Sequence, residues 1–102
     1  MNKHILEINK ILNNSRYVSS ICSGSLFDIC SYPLDPDKPI LWIQAKTSQL
    51  AISNFENYFK DDIAKIRTLP SIIHNEFYIY LKINYEGQEK WKIEKDRVIK
   101  LE

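Results

Sequence analysis

The sequence predicts an α/β domain in which one mixed five-stranded sheet is flanked by helices, with the element order αβββαββ. Three observations carry this reading. Residues 3–14 and the stretch after Ser53 place apolar side chains at helical spacing. Five stretches rich in β-branched and aromatic residues are bounded by Gly, Pro, Asn or Ser. The second helical stretch, between the third and fourth of these, is long enough for a right-handed crossover that leaves those two strands parallel.

The elements follow in order. Ile5, Ile8 and Leu12, with Leu6 and Ile11, give the first helix one inward face, and Asn13–Arg16 end it. "YVSSICS" reads as a strand. Ser23–Ser25 form a turn in which Gly24 is free to take positive φ. "LFDICSY" is the second strand, and "PLDPDKP" is a loop because its prolines lack a donor and fix φ. The apolar run of "ILWIQAK" suggests a third, central strand buried on both faces. Ser53, with Glu56 three residues on, reads as a capping box that opens a helix burying Phe55, Tyr58 or Phe59, Ile63 and Ile66 and stopping before Pro70. "EFYIYLKINY" and "KWKIEK" form a hairpin around Gly87, and "RVIKLE" is a last short extended or helical segment.

Composition bounds the function. A chain of 102 residues is long enough for one core, so residues 1–102 read as a single domain. Its 44% hydrophobic and 26% charged residues are those of an ordinary globular protein. No apolar run approaches the roughly 18 residues of a membrane span, and the start lacks a signal-peptide core, so the chain reads as cytoplasmic with no membrane partner. The net charge of +1 neither requires nor excludes a polyanionic partner. Lys82, Lys90, Lys92, Lys95, Arg97 and Lys100 are interleaved with Glu86, Glu89, Glu94 and Asp96, the pattern of a solvated mixed-charge surface. Cys22 and Cys30 form no CxxC pair and read as small buried hydrophobes. His4 and His74 are isolated.

Three polar residues break apolar strands. Gln44 and Lys46 follow "ILWI" and, by alternation, share a face with Ile40 and Trp42. Asp28 interrupts "LFDIC" and by the same alternation shares a face with Leu26 and Cys30. Burying an amide without a partner costs roughly 2–7 kcal/mol, so such residues imply mutual pairing or a ligand. If the second and third strands are antiparallel, all three meet at one end of the sheet. Two chemistries fit. A carboxylate, an amide oxygen and an ammonium suit a hard divalent cation such as Mg²⁺ or Mn²⁺ with an attached base. On spacing alone, a structural cross-strand Asp28–Lys46 ion pair with Gln44 as its hydrogen-bond partner is the preferred reading.

The succession of strand, Asp, loop, strand and Gln-x-Lys between two helices resembles the PD-(D/E)XK nuclease superfamily. Within it, "YVSSICSGSLFD", "LWIQAKTS", the helix opening at Ser53 and the final hairpin are similar to the small archaeal-type Holliday junction resolvases over nearly the whole chain. The resemblance implies a restriction-endonuclease-like fold and a metal-dependent DNA endonuclease acting as a homodimer on branched DNA. It implies that Asp28, the Gln44 side-chain oxygen and the Ala45 carbonyl bind Mg²⁺ or Mn²⁺. Lys46 would orient the attacking water and steady charge on the phosphate, and Ser25, with Gly24, would contact the DNA backbone. Glu7 is the candidate for the resolvases' first-helix glutamate, although ungapped threading puts that position at Ile5. The sequence also departs from the pattern. Gln44 stands where the family usually has Glu, which removes one negative charge. Ile21 or Cys22 stands where a basic residue precedes the "GS" loop. These departures support an alternative, a non-catalytic nucleic-acid-binding or assembly module on a degenerate nuclease fold. An RNA-directed relative is a third expectation, because fold alone does not fix the substrate.

Overall fold

A computed structural model describes residues 3–22, 26–70, 74–84 and 87–102. Helix α1 (Lys3–Leu12) is followed by strands β1 (Tyr17–Ile21), β2 (Ile29–Pro33) and β3 (Ile40–Ser48). Helices α2 (Phe55–Tyr58) and α3 (Lys60–Arg67) then lead to β4 (Asn75–Ile83), β5 (Gly87–Ile93) and β6 (Val98–Leu101). The strands lie in one sheet in chain order, β1-β2-β3-β4-β5-β6. Every neighbouring pair is antiparallel except β3 and β4, which run parallel with Ile40 opposite Asn75 and Ser48 opposite Ile83. The crossover between those two strands is the α2–α3 segment, as the sequence implies.

Two helical layers cover the sheet. Ile8 of α1 packs on Ile29, Ile43, Tyr78 and Tyr80, with Ile5, Leu12, Leu41 and Ala45 around them. Phe55, Phe59, Ile63 and Ile66 pack on the other face against Phe27, Ile79, Leu81, Ile83 and Ile93. The central strand β4 is covered on both sides, so Tyr78, Ile79, Tyr80 and Leu81 are all buried. A strand sandwiched this way reads as a continuous apolar run.

Four expectations are corrected. The sheet has six strands, not five, because "VIKL" is extended and pairs with β5 as an edge strand. The helix after Ser53 is divided at Phe59, whose φ of −104° and ψ of 24° depart from helical values, so the order is αβββααβββ. The N-cap is Asn54, not Ser53: its side-chain oxygen accepts from Asn57 N at 3.2 Å, and an Asx cap serves as well as Ser. Of the two aromatic alternatives, Phe59 is buried and Tyr58 is exposed.

The fourth correction bears on the site. β2 begins at Ile29, and both Leu26 and Phe27 pack into the α2–α3 core, where Phe27 stacks on Phe77 with ring centroids 5.5 Å apart. Strand alternation therefore fails before Ile29, and Asp28 does not take the face that a regular strand would give it.

Candidate functional site

On β3, Trp42 packs into the α2–α3 core, and Gln44 and Lys46 follow it on the same face. Trp42 is anchored by its indole N–H, which donates to Asn75 Oδ1 at 2.9 Å. Gln44 is 6% exposed. Its Nε2 donates to the Leu26 carbonyl and to Asp62 Oδ1, both at 3.3 Å. Both partners are acceptors, so the amide orientation is fixed by chemistry: the nitrogen must face them. The amide oxygen, Gln44 Oε1, is then buried with no hydrogen-bond partner among the described residues. Leaving such an acceptor unsatisfied costs about 1–3 kcal/mol.

Lys46 Nζ lies 3.4 Å from the same Asp62 Oδ1, with both side chains partly exposed. An ion pair that water reaches adds at most about 1 kcal/mol. Asp62 is thus a shared anchor for Gln44 and Lys46, and the sequence reading missed it. A signal was present. Position 62 lies three residues after Phe59 and four before Ile66, so it belongs to the inward stripe of α3, where a carboxylate is out of place.

Asp28 is held by main chain. Its N–H donates to the Ile43 carbonyl at 2.9 Å, and its Oδ2 accepts from Ala45 N–H at 2.8 Å. The side chain replaces a ladder carbonyl just where β2 stops. The N–H and C=O of one strand residue point to the same edge, so the Ala45 carbonyl also faces the edge on which Asp28 sits. Asp28 and Ala45 are thus joined at one end of the β2–β3 pair, and Gln44 and Lys46 are the strand residues on either side of Ala45.

The remaining candidates are placed differently. Glu7 extends from α1 to Lys82 Nζ at 3.5 Å, an exposed pair on the face opposite Gln44 and Lys46. Gly24 and Ser25 lie outside the described residues. His4, buried under α1, has Nε2 3.3 Å from the Tyr80 carbonyl. Burial pushes its imidazole below the ordinary value; the Tyr80 carbonyl raises it, the Lys82 cation lowers it further, and Glu7 and Asp28 raise it. Burial also pushes the Cys30 thiol up, as expected of a small core residue. Cys22 and Cys30 are both free thiols. Among the described residues, no group of three or more His, Cys, Asp and Glu side chains is gathered to hold a metal ion, and no helix is long and apolar enough to cross a membrane.

The described hairpin aromatics are committed within the chain, and Tyr85 lies outside the described residues. Phe77 stacks on Phe27, Trp91 stacks on Phe55 with centroids 4.1 Å apart, and Tyr78 and Tyr80 lie in the α1 core.

No protein-family model and no curated protein matches the chain. Its fold is similar to that of Hjc, a Holliday junction resolvase from the archaeal hyperthermophile Archaeoglobus fulgidus. The two chains are 16% identical, with a TM-score of 0.59 over 98% of this chain and 86% of that one. At that identity the likeness shows the fold, which is the resolvase type that the sequence pattern implies.

Proposed function

We propose that the chain is a divalent-metal-dependent endonuclease that hydrolyses phosphodiester bonds in branched DNA such as a four-way junction. The observation that carries this reading is Gln44 Oε1, a buried acceptor without a partner among the described residues, on the strand residue next to the one that Asp28 grips. The fold shared with an archaeal Holliday junction resolvase supports the choice of substrate. An orphaned oxygen, a carboxylate and a carbonyl at one strand end fit a hard cation, for which oxygen donors are the preferred ligands.

Asp28, Gln44 through Oε1 and the Ala45 carbonyl would hold Mg²⁺ or Mn²⁺. The cation supplies a Lewis acid and lowers the pKa of water. Lys46, on the same face as Gln44, orients the attacking water and places a positive charge against the charge that builds on the phosphate oxygens. Gly24 and Ser25, which lie outside the described residues, would contact the DNA backbone. Glu7, paired with Lys82 on the other face, is left out of this ligand set. A homodimer with two-fold symmetry suits a substrate in which two equivalent strands are cut.

A second reading is favoured by a specific observation: with no cluster of three acidic, His or Cys side chains among the described residues, the fold serves as a nucleic-acid-binding or assembly module. One assay separates the two. Duplex, single-stranded and four-way DNA, and the RNA equivalents, are incubated with the protein in Mg²⁺ and in Mn²⁺. Metal-dependent cutting of the four-way DNA that Asp28→Asn abolishes is the expected result. Binding of the four-way substrate without cutting in either metal selects the module.

A further inference from the structure

We propose that Asp62 carries the negative charge that the resolvase pattern keeps at position 44, displaced from β3 onto the first turn of α3. The inference rests on the metal-site reading above and adds a residue to it. Asp62 Oδ1 meets both Gln44 Nε2, at 3.3 Å, and Lys46 Nζ, at 3.4 Å. A glutamate at position 44 would set a carboxylate oxygen where Nε2 now stands, against Asp62, and like charges at that separation repel. The neutral amide is the side chain that a neighbouring carboxylate allows. Gln44 and Asp62 together bear the same formal charge as a lone glutamate on the strand.

The helix terminus does not by itself account for Asp62. Asp61 lies in the same first turn, is equally placed to complement the helix dipole, and faces solvent. Asp62 is turned toward the sheet, and its side chain is only 26% exposed. It acts as a positioning residue in two ways. It holds the Gln44 amide nitrogen toward itself, which leaves Oε1 as the oxygen with no partner among the described residues, and it keeps a negative charge beside Gln44 and Lys46.

The test exchanges the charge between the two positions. Mn²⁺ is titrated calorimetrically into wild type, Asp28→Asn, Asp62→Asn, Gln44→Glu and the double variant Gln44→Glu/Asp62→Asn, and thermal unfolding of each is measured without metal. Asp62→Asn should weaken Mn²⁺ binding by about ten- to a hundredfold, the effect of one charge a few ångströms away and partly screened. The double variant should recover most of that affinity. Without metal, Gln44→Glu alone should unfold at a lower temperature than wild type, and the double variant should regain the difference. If Asp28→Asn abolishes Mn²⁺ binding while Asp62→Asn binds as wild type does, the displaced charge is refuted and the metal site stands. If wild type and the double variant both bind no Mn²⁺, the metal site and the displaced charge fall together.

Discussion

Asp28 and Ala45 are joined by a 2.8 Å hydrogen bond from the Ala45 main-chain N–H to the Asp28 carboxylate, next to a 2.9 Å bond from Asp28 N–H to the Ile43 carbonyl. A side chain thus completes a rung of the β2–β3 ladder that the main chain leaves open. Oδ2 takes part in that rung, and Oδ1 stands outside it. The same residue therefore has a structural oxygen and a second oxygen outside the ladder, and substitutions can separate the two.

Asp28→Asn keeps an acceptor for Ala45 N–H, so its unfolding free energy in urea should stay within about 1 kcal/mol of wild type. Asp28→Ala leaves that N–H without its partner and should lose about 1–3 kcal/mol. Both variants should lose Mn²⁺ binding. Equal destabilisation by Asn and Ala would show that the rung contributes nothing.

Phe27 departs from strand alternation to enter the α2–α3 core, between Phe77 at 5.5 Å and Trp42 at 5.8 Å, ring centroid to centroid. Phe27→Ala should cost about 3–5 kcal/mol, as for other buried aromatics. It should also weaken Mn²⁺ binding, because Phe27 anchors the segment between the Leu26 carbonyl that holds Gln44 and Asp28 itself. Denaturant unfolding and metal titration of the same protein check both effects.

His4 makes stability depend on pH with a definite sign. Burial holds its pKa in the folded chain below the ordinary 6.5, so below that value the unfolded chain binds more protons. The contribution of neutral His4 is then fully present above the unfolded pKa and is lost as pH falls through the folded one. Between about pH 7 and about pH 5, unfolding free energy should fall more steeply for wild type than for His4→Leu. Parallel curves for the two proteins would refute the shift.

Assembly is a matter of which apolar surface remains. Of the β4–β5 hairpin's described aromatics, Phe77 and Trp91 pack on the α2–α3 core and Tyr78 and Tyr80 lie in the α1 core. Val18 and Tyr32, paired across β1 and β2, remain 48% and 49% exposed. Sedimentation at about 10 µM, a concentration that detects micromolar association, should show a dimer for wild type and a monomer for Tyr32→Lys. A wild-type monomer at that concentration would remove the basis for paired cuts.

Much of this protein is legible along the chain. The apolar period of α1, the apolar start of β3 and the length of the α2–α3 crossover specify two helical layers on a mixed sheet, because periods of 3.6 and 2 leave a trace in any sequence whose faces differ in burial. Asp28, Gln44 and Lys46 stand out for the same reason, as polar side chains in apolar strands. The sixth strand and the break at Phe59 were not legible, because a short edge strand and one non-helical residue depend on which neighbours the main chain meets.

The site divides along the same line. The sequence by itself marked an amide and two charges as out of place in apolar strands, since burying them without partners costs too much. Only the tertiary structure decided their partners. Asp28 turns to the Ala45 N–H because β2 stops short of it, and alternation, which holds only within a regular strand, says nothing there. Asp62 reaches Gln44 and Lys46 because α3 packs across β3, joining residues 18 and 16 positions apart. Such a contact leaves no period in the sequence; it exists only once the crossover helix has docked.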